Sequence, residues 1–176
     1  MRVRIRERNR QSLYNRKSSM QLNPVSLDQI SSLKHEVLLP THAKFKPPSF
    51  KVIAYIGEYR LGAQGRDDAL YIMATAASAH KAWYTDGIVI DFSRLHYEWG
   101  DEMEWVLKIG QIGAVNCDFP LAIVVGPDCE GALRSLIPGE YEDYCVTCLD
   151  DAVTLLDTKR RAYEKCLAAW RAAPVV

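Results

Sequence analysis

The sequence predicts a single α/β domain: a four- to five-stranded, mostly parallel sheet, helices packed against it, and an N-terminal extension. Three apolar segments of strand length carry this prediction, at residues 51–58, 87–92 and 120–125. Residues 66–84 separate the first two, and their apolar positions recur at the spacing of an amphipathic helix. Strands that alternate with helices are typical of βαβ units, whose strands run parallel.

Each further element has its own local signal. The strand 51–58 is followed by a loop at 60–65, where Gly62 and Gly65 interrupt regular structure. The strand 87–92 is apolar almost throughout, as expected for a central strand covered on both faces. The remaining predicted elements are a helix over 101–112, a short helix over 129–136, a short strand over 144–148 and a last helix over 151–171.

The first 50 residues differ in composition from the domain at 51–171. Residues 1–20 hold six arginines and one lysine against a single acid, Glu7. Such a segment has too little apolar surface to offset its ordering entropy, so we predict a flexible tail. Two alternatives stay open: a basic arm that touches an anionic partner, and a translation start at Met20. Residues 21–50 are predicted to be a connector in which Ser26 caps a short helix.

Charge and composition limit the classes of function. The whole chain has no formal net charge and residues 1–20 carry +6, so residues 21–176 carry −6. An acidic domain argues against nucleic-acid binding outside the basic tail. The sequence shows neither the apolar core of a secretory signal nor the roughly 18-residue apolar run of a membrane span. The five cysteines are therefore predicted to be reduced thiols in a cytoplasmic protein.

Three short segments share a pattern with one known domain family. Gly57–Leu61 reads Gly-Glu-Tyr-Arg-Leu, Ile88–Leu95 is an apolar strand that continues into Asp-Phe-Ser, and Cys148–Leu156 contains Leu-Asp-Asp-Ala-Val. In order and spacing these segments resemble the STAS domain (sulphate transporter and anti-sigma factor antagonist), whose corresponding segments are Gly-Glu-Leu-Asp-Leu, Asp-Leu-Ser and Leu-Asp-Glu-Ala-Leu. The resemblance covers about residues 51–160 and implies a STAS-like fold.

The resemblance implies a regulatory module rather than an enzyme. In the antagonist proteins the loop after the middle strand runs Asp-Ser-Ser-Gly, and a partner kinase phosphorylates the second serine. These positions fall on Trp99, Gly100, Asp101 and Glu102, so no hydroxyl stands at the expected phosphosite. Asp101 replaces it and supplies part of a phosphate's charge, with fewer acceptor oxygens. The implied partner is another protein, such as an anti-sigma factor or a kinase-like regulator.

The segment around Asp101 is the predicted partner-binding surface. Tryptophan is enriched at the energetic centres of protein interfaces, and two tryptophans lie here among acidic residues. Asp101 has two compatible roles, as N-cap of the following helix and as a fixed part of the surface. The predicted surface comprises His96, Tyr97, Glu98, Trp99, Gly100, Asp101 and Trp105.

Other functions stay open from the sequence. One is a small hydrolase or acyl-transfer enzyme that uses His96 as a general base, and another is a ligand sensor with a pocket at the C-terminal edge of the sheet. No cofactor or metal is predicted. The glycines of 57–65 fit neither a dinucleotide nor a Walker motif, and Cys145 and Cys148 are expected to be buried apolar residues rather than zinc ligands. Self-association is also open.

Overall fold

The structure is a computed structural model that describes residues 22–41, 49–111 and 117–172. Parallel strands β2 to β5 form one sheet, and β1 pairs antiparallel with β2 at its edge, in the order β1-β2-β3-β4-β5. The predicted α/β class with a mostly parallel sheet is thus confirmed. The strands are β1 Lys34–Leu38, β2 Lys51–Glu58, β3 Ile88–His96, β4 Leu121–Val125 and β5 Cys145–Val146.

Helices connect the parallel strands and cover both faces of the sheet. A 3-10 helix, Met103–Gln111, forms the crossover from β3 to β4. The longer helix before β3 has Asp67 and Asp68 in its first turn and basic residues in its last, which complements the helix dipole. The α-helices are α1 Gly65–Ala82, α2 Pro127–Leu136, α3 Tyr141–Tyr144 and α4 Leu149–Ala172.

The two faces of the sheet are covered by different helices. Successive side chains of a strand point to opposite faces, so Ile53 and Tyr55 of β2 lie on one face and Val52 on the other. The first face packs against α1, the 3-10 helix and α2, and forms the main core. On the second face α4 packs through Ala152 and Leu156. The connections β2 to β3, β3 to β4 and β4 to β5 all lie on the first face. Each leads to the next parallel strand in the same direction along the sheet, and right-handed crossovers in one direction cover one face.

Several boundaries differ from the sequence prediction. β1 lies within residues 21–50, interpreted above as a connector, and most of its side chains are exposed, so it lacks an apolar signal. β3 runs on to His96, because its last residues pair with Ile56 to Glu58 of β2. The helix predicted from Asp101 begins at Met103, and Ile112 lies outside the described residues. The strand predicted over 144–148 shortens to β5, because Tyr144 ends α3.

The predicted cap at Ser26 is present, on a single 3-10 turn at Leu27–Gln29. The hydroxyl of Ser26 accepts from the N–H of Asp28 at 3.3 Å, and the side-chain oxygen of Gln29 accepts from the N–H of Ser26 at 3.1 Å. This reciprocal pair is a capping box. The tail at 1–20, predicted to be flexible, lies outside the described residues.

Cys117 and Cys166 form a disulfide that joins the segment before β4 to α4. The prediction of five reduced thiols is therefore wrong for this pair. The two cysteines are 49 positions apart, and only the packing of α4 brings them within bonding distance. Cys129 and Cys145 are free and buried, whereas Cys148 is exposed. The expectation of a buried cysteine pair at 145 and 148 thus holds for Cys145 and is wrong for Cys148.

Candidate functional site

The C-terminal ends of β2, β3 and β4 lie side by side and carry the loops of the candidate site. The N–H of Tyr59, just after β2, donates to the carbonyl of His96 at 2.9 Å. The N–H of Tyr97 donates to the carbonyl of Asp128 in the first turn of α2, at 3.0 Å. The loop 97–102 is therefore held between the loop after β2 and α2. This is the edge where open parallel sheets usually bind ligands.

Two buried tyrosines support the loop 97–102 from below. The rings of Tyr59 and Tyr97 pack edge to face with 5.2 Å between their centroids, a favourable arrangement. The hydroxyl of Tyr59 donates to the carbonyl of Asp101 at 2.7 Å. Burial raises the pKa of both tyrosines, that of Tyr97 to about 12. Both hydroxyls therefore stay protonated at neutral pH, so that of Tyr59 continues to donate to the carbonyl of Asp101.

Two glycines let this loop approach the loop after β2 closely. A Cβ atom at Gly100 would lie 2.6 Å from the carbonyl oxygen of Arg60 and 2.8 Å from the ring of Tyr59. A Cβ atom at Gly65, the first residue of α1, would lie 2.5 Å from the same ring. Any side chain at either position would force the two loops apart, because the interior has no room for an extra methyl group.

Trp99 lies on the outer surface of this turn, over Gly62. Gly62 has a φ of +58°, which favours glycine, and a Cβ atom there would lie 3.1 Å from the indole. The carbonyl of Gly62 accepts from the N–H of Asp101 at 3.0 Å. Trp99 is nevertheless 58% exposed. The turn thus presents an indole and the carboxylate of Asp101 to the solvent from a closely packed support.

A buried ion pair anchors the loop after β2. Asp68 is fully buried and accepts from Nε and Nη2 of Arg60 at 3.0 and 2.8 Å. It also accepts from the hydroxyl of Ser31 at 2.6 Å. The hydrogen bond to Asp68 is the main cause of a raised pKa at Arg60. The sequence does not indicate this network, because Asp67 and Asp68 are adjacent acids in the same helical turn and only burial distinguishes them.

Four of the predicted surface residues have exposed side chains: His96, Glu98, Trp99 and Asp101. The Nε2 atom of His96 lies 3.4 Å from a carboxylate oxygen of Glu98, and both side chains are about half exposed or more. Asp101 is not the N-cap of the 3-10 helix, which begins two residues later at Met103. Its carboxylate is therefore available to a partner.

The other three predicted residues lie deeper. Tyr97 is 3% exposed and belongs to the main core. Gly100 is enclosed by the loop after β2, as described above. Trp105 is half-buried against the core, and Nζ of Lys108 lies 5.2 Å from its ring centre. These residues shape and support the surface, and only part of Trp105 is open to contact.

Most carboxylates around this loop have no cationic partner close enough for an ion pair. Among the described residues, no ion pair includes Asp101, Glu102, Glu104 or Asp128. After burial, the charges of Glu104 and Asp101 are further causes of the raised pKa of Tyr97. The local potential is therefore negative, which favours a positively charged partner.

A groove of about 600 Å³ separates the loop 97–102 from α2. Two of its edges are partly open, since Trp99 is 58% and Leu136 37% exposed. Glu98 and Asp128 add carboxylates to an otherwise mainly apolar lining. Such a groove suits a side chain that combines an apolar stem with a cationic end. The apolar lining residues are Tyr97, Trp99, Pro127, Cys129, Ala132 and Leu136.

Across the part of the chain that the structure describes, no three His, Cys, Asp or Glu side chains are grouped to hold a metal ion. Burial raises the pKa of Cys129 to about 11 and that of Cys145 to about 12, so both are weak nucleophiles at neutral pH. Ser93 donates its N–H to Asp91 at 2.8 Å. Its hydroxyl has no hydrogen bond to His96 among the described residues.

No helix within the described ranges is both long and apolar enough to cross a membrane. No model of a protein family matches the chain, and no curated protein sequence matches it significantly. The STAS resemblance accordingly stays a prediction that rests on the three segments in which it was recognised.

Proposed function

We propose that this protein is a non-catalytic regulatory module that binds another protein through the loop 96–102 and the helix after it. One observation carries the proposal: Trp99 is exposed on a closely packed turn, in the same loop as Asp101, whose exposed carboxylate has no ion-pair partner among the described residues. A rigidly held indole loses little conformational freedom on binding. Tryptophan is also among the residues that contribute most to interface free energies.

The proposed mode of regulation does not need phosphorylation of the domain. The position that a serine holds in the STAS pattern is Asp101, whose carboxylate is exposed and whose main chain is fixed by Tyr59 and Gly62. A permanent charge at this position supports constant recognition by a partner with a basic surface. An anti-sigma factor or a kinase-like regulator is the class of partner that we propose.

The test is affinity capture from the native source with matched variants. Trp99→Ala and Asp101→Asn should each reduce recovery of the partner at least tenfold, because hot-spot residues contribute about 2 kcal/mol or more. Trp170→Ala is the control for the first, since Trp170 is equally exposed, at 58%, near the end of α4. Glu164→Gln, another exposed acid on α4, is the control for the second. Equal recovery by all four variants would refute this site.

A cytoplasmic location belongs to the same proposal. The Cys117–Cys166 disulfide is the observation that opposes it. Disulfides are rare in cytosolic proteins, where glutathione and thioredoxin keep thiols reduced. Trapping thiols with an alkylating reagent at the moment of lysis measures whether this pair is reduced in the cell, as the proposed location requires.

A further inference from the structure

We infer that the groove between the loop 97–102 and α2 is the docking site of this chain's own arginine-rich residues 1–20. The inference rests on the proposed function in that both use the surface around Trp99. It goes further, because it names an occupant of the groove and a competitor for the partner. A tail bound there would compete with a partner for the surface around Trp99.

Charge complementarity is the first argument. Residues 1–20 carry a formal charge of +6, against −6 for the rest of the chain. On the domain, the exposed Asp128 lines the groove, and the exposed Asp101 and Glu104 act electrostatically on Tyr97, which also lines it. None of the three carboxylates has an ion pair among the described residues. Opposite charges that remain uncompensated in one molecule attract each other, and tethering adds to that attraction.

The chemistry of arginine matches the lining of the groove. A guanidinium pairs with a carboxylate through two parallel hydrogen bonds and also stacks on an aromatic face. The indole of Trp99 and the carboxylate of Asp128, which has no ion-pair partner among the described residues, both line the groove, so both kinds of contact are available there. Val3 and Ile5 alternate with the first arginines. These apolar side chains suit the apolar lining that includes Ala132 and Leu136.

The described residues that follow the tail contact the same edge of the sheet. The carbonyl of Ile30 accepts from Nη2 of Arg60 at 2.6 Å. Arg60 in turn lies against Gly100, and Gly62 lies beneath Trp99. Ile30 therefore lies against the loop after β2, which itself contacts the loop 97–102. The 21 residues before Leu22 span up to about 70 Å when extended, which is ample to reach the groove.

The experiment uses the full chain in two forms, the natural one and a variant with Arg2, Arg4, Arg6, Arg8 and Arg10 all replaced by glutamine. A fluorescent peptide of residues 1–20 is titrated with each, and its anisotropy is measured. The glutamine variant should bind the peptide at least tenfold more tightly, because its groove is empty. The natural tail competes at an effective concentration in the millimolar range. Added salt should weaken the binding.

Site variants in the glutamine background locate the peptide. Trp99→Ala and Asp101→Asn should each weaken peptide binding at least tenfold, whereas Trp170→Ala and Glu164→Gln should leave it unchanged. Urea unfolding of each variant checks that it is folded. Equal affinity of the natural chain and the glutamine variant would overturn the inference. So would binding that does not depend on Trp99, or a natural chain that dimerises by exchanging tails.

The two proposals fail in distinguishable ways. If partner capture depends on Trp99 but the peptide does not bind there, the docking inference falls and the proposed function stands. If the peptide binds at Trp99 while partner capture is unaffected by the site variants, the proposed function falls. If both hold, the glutamine variant should capture more partner than the natural chain does.

Discussion

Replacing Gly100 with alanine places a methyl group between the loop 97–102 and the loop after β2. The new Cβ atom would lie 2.6 Å from the carbonyl oxygen of Arg60 and 2.8 Å from the ring of Tyr59. Neither neighbour moves easily, because one is main chain and the other is fixed by its hydrogen bond to Asp101. Overpacking of this kind costs about 3 kcal/mol. Alanine also lowers the conformational entropy of the unfolded chain relative to glycine, which stabilises the folded state by up to about 1 kcal/mol. The free energy of unfolding should therefore fall by about 2 kcal/mol in total.

Gly131→Ala is the matched control for this change. Gly131 lies in α2, and no atom stands within 4 Å of the Cβ position that alanine would add. Alanine in a helix is favoured over glycine by up to about 1 kcal/mol, so this variant should be more stable than the natural chain. Gly100→Ala should therefore lower the free energy of unfolding and Gly131→Ala should raise it, so that the two variants differ by about 3 kcal/mol.

Urea denaturation followed by circular dichroism measures both free energies of unfolding. A Gly100→Ala variant within about 0.5 kcal/mol of the natural chain would refute the packing argument, because it would show that the loop yields without cost. If such a stable variant also failed to capture the partner, the loop would have moved without a cost in stability. The same measurement on Gly131→Ala tests whether the helix propensity argument applies to α2.

Two further predictions concern stability. Asp68→Ala removes the buried partner of Arg60 and Ser31 and should lower the free energy of unfolding by about 3 kcal/mol. This value is at the lower end for a broken buried pair, because Arg60 is one-third exposed. The exposed carboxylate of Asp67 lies 3.9 Å from Arg60, so Asp67→Ala should change the free energy of unfolding by under about 0.5 kcal/mol. Equal losses for these two variants would contradict the assigned network. Lys51 is fully buried, donates to the carbonyl of Trp83 at 2.6 Å, and has a pKa lowered by burial to about 8, against about 10.4 when unfolded. Since the unfolded chain binds the extra proton between these values, the free energy of unfolding of the natural chain relative to Lys51→Met should rise by roughly 2.5 kcal/mol from pH 8 to pH 10.4. Urea midpoints of the two proteins that run parallel with pH would disprove the charge burial.

Local patterns were enough to predict most of the sheet. β2 matches the predicted strand at 51–58, and β4 begins one residue later than the predicted strand at 120–125. Both were recognised because buried parallel strands are apolar on both faces. β1 was missed because its side chains are mostly exposed, and its place is set by hydrogen bonds to β2 rather than by burial. The last residues of β3 were missed for the same reason, since Ser93 and Arg94 are polar and exposed.

The candidate site was predicted as a segment, but the roles of its residues were not. Trp99 and Asp101 are exposed, as a binding surface requires, whereas Tyr97 lies in the core. The sequence does not distinguish a buried tyrosine from an exposed one. The burial of Tyr97 depends on the ring of Tyr59, which lies nearly 40 positions away in the sequence. The disulfide between Cys117 and Cys166 escaped prediction for a similar reason.

The sequence by itself determined the fold class, the order of the central elements and the acidic, tryptophan-bearing segment after β3, because these depend on residues that are neighbours in the chain. Only the tertiary structure decided which carboxylate is buried against Arg60 and which are left facing the solvent. It also decided that Gly100 and Gly65 are packing requirements, and that the loop 97–102 and α2 enclose a groove. These properties depend on distances between segments that are remote in sequence, and burial and charge act through such distances.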